Sequence, residues 1–127
     1  MNNTKDIEAI FKIILDCSFK VHSELGPGLL ESAYEECLFY ELMKNGLKVE
    51  KQKALPLIYD DVKLEIGYRV DLFVENLIVV EIKSVEALNE IHLAQILTYL
   101  KLSNCKLGLL VNFNVKQLKN GFKRVIL

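Results

Sequence analysis

Apolar residues recur at steps of three and four near the start of the chain. Ile7, Ile10, Phe11, Ile14, Ser18, Val21 and Leu25 mark one face, so the spacing predicts an amphipathic helix over residues 5–24. Gly26-Pro27-Gly28 ends it. A second helix is expected from about Leu30 to Asn45, with Leu30, Ala33, Tyr34, Cys37, Leu38, Glu41 and Leu42 on one stripe and Gly46 supplying a left-handed stop. From Lys48 the period becomes two or the apolar run becomes continuous. Val49–Tyr59, Val62–Val74 and Leu77–Lys83 read as three successive antiparallel strands, with Asp60-Asp61 and Glu75-Asn76 as the turns between them. The third is apolar on both faces for Leu77-Ile78-Val79-Val80, which marks a central strand covered on both sides. Helical spacing returns over residues 88–103 through Leu88, Ile91, Ala94 or Gln95, Thr98 and Leu102. Leu107–Phe113 is a further apolar run of β character, and Phe122–Leu127 reads as a short last strand. The order ααβββαββ has no repeat, linker or low-complexity tract, so one α/β domain is expected over residues 1–127.

The composition changes little in that picture. A chain of 127 residues that is 51% apolar and 26% charged lies within the range of one soluble domain and outside the disordered and collagen-like classes. Such a chain buries roughly two-thirds of its unfolded surface, so it needs neither metal nor disulfide to hold a core, and a bound metal would serve chemistry. Leu107–Val111 and Leu77–Val80 are far short of the ~20 residues that cross a bilayer. Lys12 and Asp16 interrupt the first apolar pattern, which no secretory segment tolerates, and a cytoplasmic location is expected. Cys17, Cys37 and Cys105 are an odd number at long spacings without CxxC, so reduced, mostly packed thiols are expected. The net charge of −1 hides an asymmetry. Lys101, Lys106, Lys116, Lys119, Lys123 and Arg124 occupy a final quarter that has no acidic residue. That segment is either a solvated basic face or a surface for phosphates.

Charge also appears where a buried sheet should lack it. Glu81 and Lys83 are two apart on the central strand and share a face, while Val80 and Ile82 take the other. Either charge left unpaired in a low-dielectric site costs several kcal/mol. Asp71 lies ten residues before Glu81 on the preceding strand. A strict two-residue loop would pair Asp71 with Val80 and send Glu81 to the opposite face, so a three-residue loop such as Glu75-Asn76-Leu77, or a bulge, is predicted. Two carboxylates about 4 Å apart repel by roughly 4 kcal/mol at an effective dielectric of 20. A divalent cation between them removes that repulsion, and oxygen ligands without histidine or cysteine suit Mg2+ or Mn2+ rather than zinc. Lys83 would stand beside the water that such a cation holds. A Glu-x-Lys triplet arises about once by chance in a chain of this composition, so context carries the weight. The contrasting Asp61-Val62-Lys63 follows a turn, has Lys51 ten residues before it, and reads as a solvated strand start.

Supporting residues come from the helices. Gln95 and Tyr99 are four apart and share a face of the helix that follows the Glu81 strand. Glu31 falls in the first turn of the second helix with Tyr34 on the same side, where the helix dipole alone also favours a carboxylate. His22 lies near the Gly26-Pro27-Gly28 turn and either reaches the site or a phosphate or is a satisfied, partly buried histidine. His92 is given no role beyond the surface or the surroundings of Gln95.

These residues carry a resemblance. Gly28-Leu29-Leu30-Glu31-Ser32-Ala33-Tyr34 resembles the signature of the GxxExxY protein family, and Asp71, Glu81-Ile82-Lys83 and Gln95-xxx-Tyr99 resemble the motifs of the PD-(D/E)XK nuclease superfamily. The similarity runs from His22 through Phe113. It implies a restriction-endonuclease-like αβββαβ core with an additional N-terminal helix and a central mixed sheet flanked by helices. It implies a magnesium site that hydrolyses phosphodiesters, with Asp71 and Glu81 as metal ligands, Lys83 positioning water and Glu31 as an extra acidic residue. Gln95 and Tyr99 match the helix motif of the exonuclease-like branches. Val70 stands where the superfamily's name has proline, a departure that removes no ligand. Catalysis is thus expected from Lys83, Glu31 and Gln95, and nucleic-acid contact from Tyr99, Tyr34 and His22, with DNA as the first expectation. The competing class is a module that keeps the site without turnover. A core fold fills nearly the whole chain, so a second copy or a protein partner would complete the grip on a duplex.

Overall fold

The computed structural model describes residues 6–127. Lys5, the first residue of the expected opening helix, lies outside them. Helix α1 (Ile7–Leu25) starts where the Asp6 carboxylate accepts the amides of Glu8 at 3.0 Å and Ala9 at 3.2 Å, donors that a helix leaves open at its first turn. Helix α2 (Glu31–Lys44) ends at Asn45. Gly46, at φ 80°, then turns the chain so that the Leu47 amide reaches the Leu42 carbonyl at 3.2 Å.

Strands β1 (Val49–Tyr59), β2 (Val62–Val74) and β3 (Ile78–Lys83) run antiparallel in sequence. Helix α3 (Glu90–Ser103), capped by the Asn89 side chain, is the crossover that lets β4 (Leu107–Asn112) pair parallel with β3. β5 (Phe122–Ile126) returns antiparallel to β4. The sheet order is β1-β2-β3-β4-β5, so β3 is central and every residue from Ile78 to Ile82 is buried. Helices α1 and α2 pack Ile14, Leu38 and Leu42 on one face against Leu72, Val80 and Ile82. Helix α3 packs Ile96 and Leu100 on the other against Val79 and Leu110.

Two details depart from the helical spacing read in the sequence. Leu30 is the cap residue of α2 and is 75% exposed rather than the first residue of the buried stripe. On α3 the buried residues are Ile96, Tyr99 and Leu100, whereas Ile91 is 78% exposed. Helix α3 carries apolar residues on more than one face, so several stripes satisfy a 3.6-residue period, and the sheet selects among them. Cys17 and Cys105 are buried and Cys37 is half-buried, all three as free thiols. Among the described residues no helix is long and apolar enough to cross a membrane.

Two irregularities position the site. The first is the β2–β3 connection, Glu75-Asn76-Leu77, three residues between the paired Val74 and Ile78. Glu75 and Asn76 take φ 55° and 57°, and the ladder then runs through Phe73–Val79 to Leu72–Val80. One further step brings Asp71 level with Glu81. The second is that the β1–β2 ribbon turns over at this point. Val74 and Leu72 join the α1–α2 side of the core, but Val70, which simple alternation would place beside them, joins the α3 side with Leu55. The reversal falls between the pairs Lys51–Leu72 and Lys53–Val70, where Gln52 stands across from Asp71 with φ 52°. Beyond it the register shifts between Leu55 and Leu57, next to Gly67 at φ 90°.

Candidate functional site

At Asp71 side chains take over from the β2–β3 main-chain ladder. The Asp71 amide donates to Glu81 Oε2 at 2.9 Å, and the Ile82 amide donates to Asp71 Oδ2 at 2.8 Å. Each carboxylate therefore clasps the other's strand, and the two acids are held together at one end of the β2–β3 hairpin. Glu81 is only 3% exposed, and burial together with the Asp71 charge pushes its carboxyl up to about 8. Burial raises Asp71 as well, against the Ile82 amide, the Gln52 amide and the Lys83 charge, which favour its ionised form.

Lys83 shares the Glu81 face of β3, and its Nζ donates to Gln95 Oε1 at 2.9 Å. Gln95 Nε2 donates in turn to the Tyr99 hydroxyl at 3.2 Å. This Lys83–Gln95–Tyr99 chain ties the ammonium to α3 without neutralising it. Tyr99 is buried, and its hydroxyl is raised by that burial and by the nearby Glu81 carboxyl. Glu31 lies on the other flank. It accepts the Ser84 amide at 3.1 Å, while Ser84 Oγ donates to the Leu29 carbonyl at 2.6 Å, so the start of α2 is fastened to the chain just past Lys83. Glu31 thus reaches the rim of the site through its charge on Asp71 rather than through a shared bond.

Three participants were not visible as such in the sequence. Glu35, one turn after Glu31 on α2, has its carboxyl raised by burial and by Asp71. Its spacing of four from Glu31 is the signal that could have found it. Gln52 Nε2 donates to Glu35 Oε1 at 2.7 Å and to Asp71 Oδ1 at 3.3 Å, bridging the helix and strand acids. Asn112 is buried and pins the segment after Lys83, accepting the Val85 amide at Oδ1 and donating to the Val85 carbonyl, each at 3.0 Å.

Tyr34, expected at a nucleic-acid surface, is placed in the core instead, and of the two readings of His22 the structure has the satisfied, buried one rather than the phosphate contact. Tyr34 is fully buried and stacks on Phe113 at 4.5 Å between centroids. Its hydroxyl donates to the Gly26 carbonyl at 2.5 Å and accepts the Leu29 amide at 3.1 Å. The tyrosine staples the glycine turn before α2, and its ring meets no solvent. His22 is buried with Nε2 2.6 Å from the Val115 carbonyl, so its polar edge is already satisfied. His92 caps α3, its Nδ1 accepting the Asn89 amide at 3.2 Å.

The donor set fits a hard divalent cation. Among the described residues, no group of three or more His, Cys, Asp or Glu side chains is placed to hold a metal ion, so the protein would supply at most the Asp71 and Glu81 carboxylates. Two clasped carboxylates, with oxygen as the sole donor type, leave the remaining positions to water and phosphate, which is how Mg2+ is held in phosphoryl-transfer sites. Burial is the main reason that both carboxyls are raised, with the Asp71 charge adding to the effect at Glu81.

An α/β domain of this strand order, with two carboxylates and a lysine at the end of its central hairpin, is of the restriction-endonuclease-like class. The chain belongs to the PD-(D/E)XK nuclease superfamily, whose family model matches residues 8–125. No curated protein and no solved structure matches it.

Proposed function

We propose that this protein is a divalent-metal-dependent nuclease that hydrolyses phosphodiester bonds of nucleic acid, with Asp71 and Glu81 holding Mg2+ or Mn2+. The observation that supports it is the reciprocal clasp of those two carboxylates beside an ammonium whose hydrogen bond goes to an uncharged amide. A cation bound there supplies Lewis acidity, activating water and offsetting phosphate charge. Lys83, held in place by Gln95, orients the attacking water and stabilises charge that develops on the phosphoryl oxygens. Tyr99 fixes the Gln95 amide, and Glu31 and Asn112 hold the chain immediately after Lys83, at Ser84 and Val85. The Gly28-to-Tyr34 stretch supports placing the chain in the GxxExxY family, with Glu31 and Tyr34 acting on the architecture of the turn and the rim.

The test is incubation of the wild type and Lys83→Met with single-stranded, double-stranded and branched DNA and with RNA, each with and without Mg2+. Product from the wild type only, and only with metal, is expected. Binding without product in all arms would replace this reading by the silent module, acting in a complex or as a homodimer.

A further inference from the structure

Gln52 combines three features that rarely coincide. It is a non-glycine residue at φ 52° inside a strand, a conformation that L side chains avoid. It stands where the β1–β2 ribbon passes from the α1–α2 side of the core to the α3 side. Its amide nitrogen bridges Glu35 Oε1 and Asp71 Oδ1. Its own carbonyl accepts the Arg69 guanidinium at 3.2 Å, which fastens the turned-over ribbon on the far side.

A strained backbone persists only where the surroundings over-determine it. Glycine would meet the conformation without strain, as Gly67 does at φ 90° on the facing strand. At position 52 the fold carries an amide instead, and that amide is spent on the site. Asp71 Oδ2 is already held by the Ile82 amide. A second donor on Oδ1 fixes the remaining rotation of the carboxylate plane, and it also separates two acids, Glu35 and Asp71, that repel.

We infer that Gln52 is a positioning residue for the cation site, its amide orienting the Asp71 carboxylate at the pivot of the β1–β2 ribbon. The inference rests on the proposed metal site and deepens it. Outer partners of ligating carboxylates are worth about 10–100-fold in metal affinity. Gln52→Met keeps the length of the side chain and removes its donor. Gln52→Gly removes the side chain and relieves the backbone.

Mn2+ binding, followed by calorimetric titration of the full chain, is read beside the thermal midpoint of the metal-free protein. Both variants are expected to bind Mn2+ about 10–100-fold more weakly than wild type, with the metal-free midpoint of Gln52→Gly at or above that of wild type. A residue with a purely structural role would move the midpoint and leave the affinity alone. Mn2+ affinities of both variants within about twofold of wild type overturn this inference and leave the metal site standing. A wild type that binds no Mn2+ at millimolar concentration overturns the metal site and this inference with it.

Discussion

Replacing Glu81 by glutamine should make the metal-free protein more stable and metal-blind at once. Burial and Asp71 lift the Glu81 carboxyl from 4.5 to about 8, so between those pH values the folded chain holds a proton that the unfolded chain has released. The contribution of this group is therefore fully present below about pH 4.5 and is lost as the pH rises towards 8. At about 1.4 kcal/mol per pKa unit, the loss reaches about 4–5 kcal/mol by pH 8. Burial shifts Asp71 and Glu35 in the same direction, which steepens the slope. Glutamine keeps the acceptor for the Asp71 amide and carries no charge, so Glu81→Gln should exceed wild type by about 2–4 kcal/mol at pH 8 and differ little at pH 5. Urea unfolding in a chelating buffer at both pH values measures this. Adding Mg2+ at about ten times its Kd should then return about 1.4 kcal/mol to wild type and nothing to the variant. A wild-type stability that is flat from pH 5 to 8, or a variant no more stable than wild type at pH 8, would refute the account of a charge-strained carboxylate pair.

Two further outcomes test the surroundings of the site. Lys116, Lys119 and Lys123 are exposed and, among the described residues, make no ion pair, whereas Arg124 pairs with Glu8 at 2.6 Å. If the basic segment meets phosphates, changing the three lysines to glutamine should flatten the plot of log affinity against log salt for duplex DNA by about 0.9 for each phosphate no longer neutralised; an unchanged slope assigns them to solvated protection of the β5 edge. Tyr34→Phe leaves the Gly26 carbonyl and the Leu29 amide without their partner, so urea unfolding should show a loss of about 1–3 kcal/mol with Mn2+ affinity unchanged. A variant as stable as wild type would show that the staple contributes nothing.

Why Asp71 and Glu81 could be paired from the sequence while Gln52 could not is a matter of register. The β2–β3 loop is short, and the parity rule leaves few lengths that put two acids on one face, so chemistry at positions 71 and 81 was enough to demand the three-residue loop that the structure has. The β1–β2 hairpin offers no such constraint. Its turn at Asp60-Asp61 pairs Tyr59 with Val62, and continuing that register would set Asp71 opposite Glu50. The shift between Leu55 and Leu57 moves the register by two and brings Gln52 there instead. Gly67 was the only trace of that shift in the sequence, since an isolated glycine in a strand marks a bulge without giving its size. Tyr34 failed as a nucleic-acid contact for the opposite reason. Periodicity had already set Tyr34 on the apolar stripe of α2, but the local pattern did not name what covers it, which is Phe113, from beyond β4, stacked on its ring. Residues that act through the chain neighbours of a strand are thus legible early, and residues whose role is set by a register shift or by a distant packing partner become legible only once the sheet is assembled.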